Sequence, residues 1–595
     1  DKTLGKDHPY YSSNTISMAK LYWSMGEIAK AKSFYEVVSA ASFERINKIF
    51  QFTSEAEKDA YIKNINGTSD EYLSFFYKEL NKEDATQPLL VSLRNRTLIL
   101  SSTQQLRSII YMRSDSNLLK KFDTWTSQKQ KLGQLYVNAE GTTADEIKTL
   151  EEKANVLEKE LSRSSNNFKA AQQKAVDWKL LQQSLKPGEA AIEFMDFRYN
   201  DGARWTDSTF YVAILLRKET RPKMIHLFEK KELDDFIGSN ATVSEMYAQN
   251  RSRKVNNRNL FELVWKPLEK ELNGIKKIYF APAGKLHQLA FSALPISASE
   301  SLIDRYQLVQ LNTTYSLTSS TTNQKGFNDR VKIYGGIIYD EDVDVGRQNT
   351  STSLNTTSET DLAFPTDNTR GKNWTYLPGT QKEINAIKKL ADAKKIKVDL
   401  SEGIKATEES FKILNGKSSP GFLHIATHGF FFPDPKEDKR SEFQKSFDKS
   451  GVAFKQSDNP LMRSGLLFAG ANNTWQGKPL GRAEDGFLTA YEVASLYLPN
   501  TKLVVLSACE TALGDVQGSE GVYGLQRSFK MAGVQHLIMS LWKVPDNETA
   551  EFMQEFYKKY FGGKDVNVAF RESQTLMRNR YKDEPVKWAA WILVQ

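Results

Sequence analysis

Two hydrophobic periods divide the chain. Up to about residue 185, apolar side chains recur every three to four positions, the period of helices with one buried face. From 189 onward, short runs of β-branched and aromatic residues alternate with helical stretches. In the first part, residues 13–38 predict a helix pair: Met18, Ala19 and Tyr22 share a face, Gly26 interrupts it, and Ala31, Tyr35 and Val38 continue it. Ala19 and Ala31 are small enough for two helices to approach closely. The pattern stays helical over 42–185, ending in a run dense in opposite charges such as Glu152 and Lys153, and Pro187-Gly188 closes the region.

In the second part, strands are expected at 190–197, 209–216, 223–228, 277–280 and 306–311, with a helix over 261–272. A longer alternation follows. Its strands are expected at 331–339, 395–400, 421–427, 502–508, 536–542 and 588–594, and its helices at 381–393, 407–414, 489–496, 521–532, 548–561 and 566–580. Such alternation predicts an α/β fold: a mostly parallel sheet with helices on both faces. Two long polar loops, 340–371 and 433–462, interrupt it. Four regions result: 1–41, 42–187, 188–330 and 331–595. The period of residues 13–38 resembles one 34-residue tetratricopeptide repeat (TPR), so 1–41 is expected to be the remnant of a longer array, with an ordinary helical hairpin as the alternative.

Composition narrows the function classes. Hydrophobic residues make up 40% and charged residues 26%, as in ordinary globular protein. No apolar run approaches the ~18 residues of a membrane span, and the first residues carry no apolar signal core. A net charge of +8, spread along the chain, gives little reason to expect direct nucleic-acid binding. One cysteine permits no internal disulfide, so a cytoplasmic location is expected. There is no glycine-rich phosphate loop and no metal-ligand spacing, so no cofactor and no metal are expected.

That cysteine, Cys509, follows the apolar run 503–506 in KLVVLSACETALGD, and His428 follows another in GFLHIATHGFF. Residues just past the carboxyl ends of parallel strands sit where open α/β sheets place their chemistry. Taken alone, a lone cysteine reads first as an inert, small core residue. His428 and Cys509 are 81 positions apart, or 51 once the 30 positions 433–462 are set aside. His424 reads as a buried structural histidine, and His287, in APAGKLHQLAFSALP, as part of a tight turn.

HIATHG, DGFLTAYEVASLYLPNTKLVVLSACETALGD and EGVYGLQRSFKMAGVQHLIMSLWKVPDNET together resemble the CHAT domain. That family belongs to the caspase-like cysteine proteases, which include caspases and separase, and its members often follow a TPR array. In caspases the histidine lies about 50 residues before the cysteine. The resemblance implies a caspase-like fold for 331–595, a second, pseudo-caspase-like α/β unit for 188–330, and a cysteine endopeptidase with His428 as base and Cys509 as nucleophile. It also implies an oxyanion hole from the N–H groups of Gly429 and Cys509. By analogy with separase, Asp546 would line a pocket for substrate Lys or Arg, with a helix cap as its alternative reading. Asp485 is a second candidate, within Glu484-Asp485-Gly486, which also reads as a turn. The partners implied are a protein substrate and a regulatory protein engaging the TPR region; a defence effector such as a gasdermin is the family-level analogy. Arg347, Arg370, Lys372, Lys439 and Arg440 in the long loops are either self-cleavage points or plain solvated residues. The competing reading of the whole chain is a non-catalytic scaffold for protein–protein interaction.

Overall fold

The computed structural model describes residues 9–96, 98–113, 115–137, 144–169, 176–239, 242–247, 258–297, 299–318, 330–340, 373–432, 457–478, 483–508, 511–512, 515–516 and 522–595. Sixteen strands lie within them. In the first half are β1 (Glu189–Asn200), β2 (Trp205–Arg217), β3 (Lys223–Glu229), β4 (Lys277–Ala281) and β5 (Gln307–Gln310). Next come β6 (Val331–Ile337), β7 (Val398–Gly403), β8 (Phe422–Ala426), β9 (Gly429–Phe431), β10 (Ser464–Leu467) and β11 (Phe487–Thr489). The last are β12 (Leu503–Ser507), β13 (Asp515–Val516), β14 (Val522–Tyr523), β15 (His536–Ser540) and β16 (Trp591–Val594).

Eleven of them form one sheet in the order β3-β2-β1-β4-β5-β16-β15-β12-β8-β6-β7. Seven of its ten pairings are parallel, as the alternation predicts. β8 and β12 are buried along their whole length, which suits their apolar, β-branched composition. The strands of 188–330 and of 331–595 join through β16. It runs parallel to β5 at Val594↔Gln310 and antiparallel to β15.

Several boundaries depart from expectation. The continuous apolar run 588–594 splits into a helical turn, Pro585–Trp588, and β16; Pro585 supplies the fixed φ of a first helical turn. The expected helix 261–272 is a short α-helix, Leu260–Val264, followed by a 3₁₀ helix, Lys266–Leu272, because Pro267 cannot continue the α-helical ladder. β7 begins later than the apolar pattern suggests, since Lys395 turns the chain at φ +57°.

Among the described residues, the N-terminal region is built of helices and short connections. Pro9–Ser24 and Ile28–Ile49 form a hairpin about Gly26 at φ +75°, and Ala19 and Ala31 are fully buried at the contact. Helix Leu98–Arg113 joins this region to the sheet-bearing half. Its Arg107 is 1% exposed and donates to the carbonyls of Leu496 and Met531 at 2.6 and 2.7 Å, and to that of Ala494. These carbonyls end the helices Ala490–Ser495 and Leu525–Met531, where the helix dipoles favour a cation. No helix among the described residues is long and apolar enough to cross a membrane.

Candidate active site

β8 and β12 are parallel neighbours with Ser507 opposite Ala426, so they reach the same sheet edge together. The chain beyond β8 turns at Thr427 and His428, then enters β9. β9, β10 and β11 form a small antiparallel sheet that sequence periodicity did not reveal, with buried Gly429 opposite Leu466. Three hydroxyl-mediated contacts fix the turn. The His428 N–H donates to the Tyr339 hydroxyl at 3.2 Å. Tyr339 and Thr427 hydroxyls lie 2.9 Å apart, and Thr427 donates to the Leu467 carbonyl at 2.6 Å. Because each hydroxyl has one proton, Tyr339 donates to Thr427. Leu467 N–H in turn donates to the His428 carbonyl at 3.0 Å.

The His428 ring is half-buried between Tyr339 and Trp374, with ring centroids at 5.1 and 5.3 Å. Its Nε2 lies 2.8 Å from the Thr375 carbonyl. A carbonyl only accepts, so Nε2 carries the proton and Nδ1 of the neutral ring is the basic nitrogen. Thr375 belongs to a strap, 373–377, held by Asn472, which is fully buried. The Asn472 Oδ1 accepts from Trp374 N–H at 2.7 Å, and its Nδ2 donates to the Trp374 carbonyl and to Asp340, each at 2.9 Å. Trp475 extends the aromatic wall, 5.5 Å from Trp374. Sequence reasoning missed Tyr339, Thr375 and Asn472. Thr375 acts through its main chain, so its residue type gives no signal.

Cys509 lies outside the described residues, as do Arg347, Arg370, Lys372, Lys439 and Arg440. Asp546 is exposed and is the first residue of helix Asp546–Tyr560; its predecessor Pro545 offers no capping side chain. The carboxylate rests on Gly379, in the first turn of helix Pro378–Ala393: a Cβ built there would lie 2.7 Å from Asp546 Oδ2. Asp546 therefore faces the amino ends of two helices, a setting that favours negative charge. Asp485 is buried and sits in a turn, its Oδ1 accepting from Phe487 N–H at 2.8 Å. Burial, reinforced by Glu408 and Glu492, pushes its carboxyl well above the usual range.

His424 is fully buried on β8 and His287 nearly so. Burial drives the His287 ring down to about 3, with Arg96 adding to the effect. Among the described residues, Glu408, Glu484 and Glu492 bring carboxylate oxygens close enough to hold a cation. Lys412 already fills that role, 2.7 Å from Glu408, 2.5 Å from Glu484 and 2.9 Å from Glu492.

Fold and site together define an α/β protein whose basic imidazole and lone thiol-bearing segment follow adjacent parallel strands. The CHAT domain model matches residues 255–595, more than half of the chain, and the chain belongs to that family. The Homo sapiens protein "Tetratricopeptide repeat protein 28" is 33% identical over 108 residues, 18% of this chain; the matched stretch spans only 4% of that protein. Among solved structures, the Arg-specific cysteine proteinase gingipain R is 10% identical over 61% of this chain and 74% of its own, with a TM-score of 0.32. A Saccharomyces cerevisiae separase–securin complex is 10% identical over 98% of this chain and 50% of that one, with a TM-score of 0.36.

Proposed function

We propose that the chain is a cysteine endopeptidase that cleaves one or a few protein partners after Lys or Arg. The observation that carries this reading is the orientation of His428. Its Nε2–H is tied to the Thr375 carbonyl, which leaves Nδ1 to take a proton, on the strand next to the one that leads into Cys509. A free thiol, with a pKa near ~8.5, is mostly protonated at neutral pH and needs such a base. In the reaction, the Cys509 thiol gives its proton to His428 Nδ1 as sulfur bonds to the scissile carbonyl carbon. The oxyanion is met by the N–H groups of Gly429 and Cys509, an assignment taken from the family resemblance. The imidazolium then protonates the departing amine as the C–N bond breaks. Water, deprotonated by the same ring, hydrolyses the thioester and restores the thiol.

Asp546 is the carboxylate proposed to hold the basic substrate side chain. It is exposed, and so within reach of a substrate side chain, at the amino ends of two helices. Asp485, buried and held toward its neutral form, suits that role less. The helical region is proposed to bind a regulatory protein as a TPR-type surface, in the cytoplasm, with Arg107 passing its position on to the sheet-bearing half; activation of a defence effector is the proposed setting.

The test is a peptidyl electrophile ending in Lys or Arg, with the adduct mapped by mass spectrometry. Labelling at Cys509 that disappears in His428→Ala is expected. Cleavage of a Lys/Arg peptide library that survives Cys509→Ala would overturn the proposal, and equal labelling by an Asp-ended probe would remove the basic pocket.

A further inference from the structure

Below the strand ends lies a buried polar chain that the reaction above does not use. Helix Pro378–Ala393 presses onto β6: a Cβ on Gly335 would lie 2.5 Å from Ile384 Cγ2, so only glycine permits this approach. The packing drives Glu383, 2% exposed, between β8 and β12. Its Oε2 accepts from the Ser507 hydroxyl at 2.9 Å. Its Oε1 faces His424 Nε2 at 3.3 Å, and neither of these two atoms has a hydrogen-bond partner elsewhere. His424 Nδ1 lies 2.8 Å from the Tyr557 hydroxyl, on helix Asp546–Tyr560. A carboxylate in so dry a place is costly, and an apolar side chain would pack the same gap without that cost.

What Glu383 grips explains its presence. The Ser507 carbonyl accepts from Thr427 N–H at 3.3 Å, the last rung between β8 and β12. Thr427 immediately precedes His428, and Ser507 stands two positions before Cys509. The same helix begins three residues after Thr375, whose carbonyl orients His428. We infer that Glu383 is a positioning residue: it clamps the Ser507 rung, so that the imidazole-bearing turn and the thiol-bearing segment leave the sheet at a fixed separation. The inference rests on the Cys509–His428 reading and adds a residue to it.

Cys509 is the only cysteine, so its alkylation by iodoacetamide at pH 7 reads the pairing directly, with or without a known substrate. Glu383→Gln keeps the shape but replaces one carboxylate oxygen with an amide nitrogen. It is expected to slow alkylation about 10- to 100-fold, the scale of a misplacement near 1 Å. Ser507→Ala should do the same, and the double variant should be no slower than the worse single one, since both cut the same clamp. Tyr557→Phe leaves the Glu383–Ser507 hydrogen bond intact and removes the one to His424, so it should stay within about twofold of wild type, which purely structural damage would not achieve. With a cleavable peptide, kcat should fall while KM holds. If Glu383→Gln proves unstable, Ser507→Ala carries the test alone. Alkylation unchanged in a folded Glu383→Gln or Ser507→Ala overturns the inference, even if peptides are cleaved. Alkylation that depends on Glu383 without any cleavage upholds the clamp and sinks the protease reading instead.

Discussion

Asn472→Ala is the sharpest perturbation of the site. The amide ties both backbone groups of Trp374 to the body of the protein and reaches Asp340. Removing it leaves a buried N–H and a buried C=O without that partner, at about 1–3 kcal/mol each, while half-buried Asp340 can turn to water. A loss of about 2–6 kcal/mol of stability follows. The strap should loosen, and Thr375 should no longer hold the Nε2–H tautomer of His428. Cys509 alkylation is then expected to slow by about tenfold or more, because the ring populates the tautomer with its proton on the wrong nitrogen. Urea unfolding gives the first quantity and iodoacetamide kinetics on the folded variant the second. A variant as stable as wild type refutes the packing argument. One that is destabilised but alkylates at the wild-type rate refutes the link from strap to tautomer.

Further outcomes follow from other contacts. Arg107→Met keeps the apolar stem but leaves three carbonyls without their cation; we expect a loss of about 3–5 kcal/mol and faster amide exchange in Ala490–Ser495 and Leu525–Met531, and unchanged exchange there would refute the docking role. Lys530 is buried, and burial alone lowers its amine to about 7. Its folded value lies below the unfolded one, so its contribution is most favourable above about 10.5 and is lost as pH falls toward 7. Lys530→Met should therefore stabilise by on the order of 2–4 kcal/mol at pH 7 and by little near pH 10.5; denaturant midpoints of both proteins at the two pH values check the sign. Asp546→Asn should cut labelling by a Lys- or Arg-ended probe about 10- to 100-fold while sparing an uncharged one, and an equal loss for both would show that Asp546 acts on the fold.

The sheet was legible because its strands are apolar to their ends: β8 and β12 read directly as buried runs that stop at Thr427-His428 and Ser507. Residues 588–594 misled because Trp588, Ala589 and Ala590 are as apolar as the strand that follows, and the helix-starting Pro585 was the better guide. The three-stranded sheet about Gly429 escaped notice since its strands are only three or four residues long, too short to show a period. At the site, His428 announced itself through the His-Gly pair at a strand end. Its orienting group is a main-chain oxygen set by Asn472 from a distant segment, and no one-dimensional pattern encodes that. Glu383 lay within an ordinary amphipathic helix, where nothing distinguishes a carboxylate that faces inward.

The seam at β16 bears on how the protein is made. β5 and β15 are not neighbours; each pairs with β16, which is synthesised nearly three hundred residues after β5. Until Trp591–Val594 leaves the ribosome, each offers an unpaired edge, the kind of surface that invites pairing with another nascent chain. Completion of the sheet must therefore await β16, which makes shielding of those two edges during synthesis a requirement of this topology.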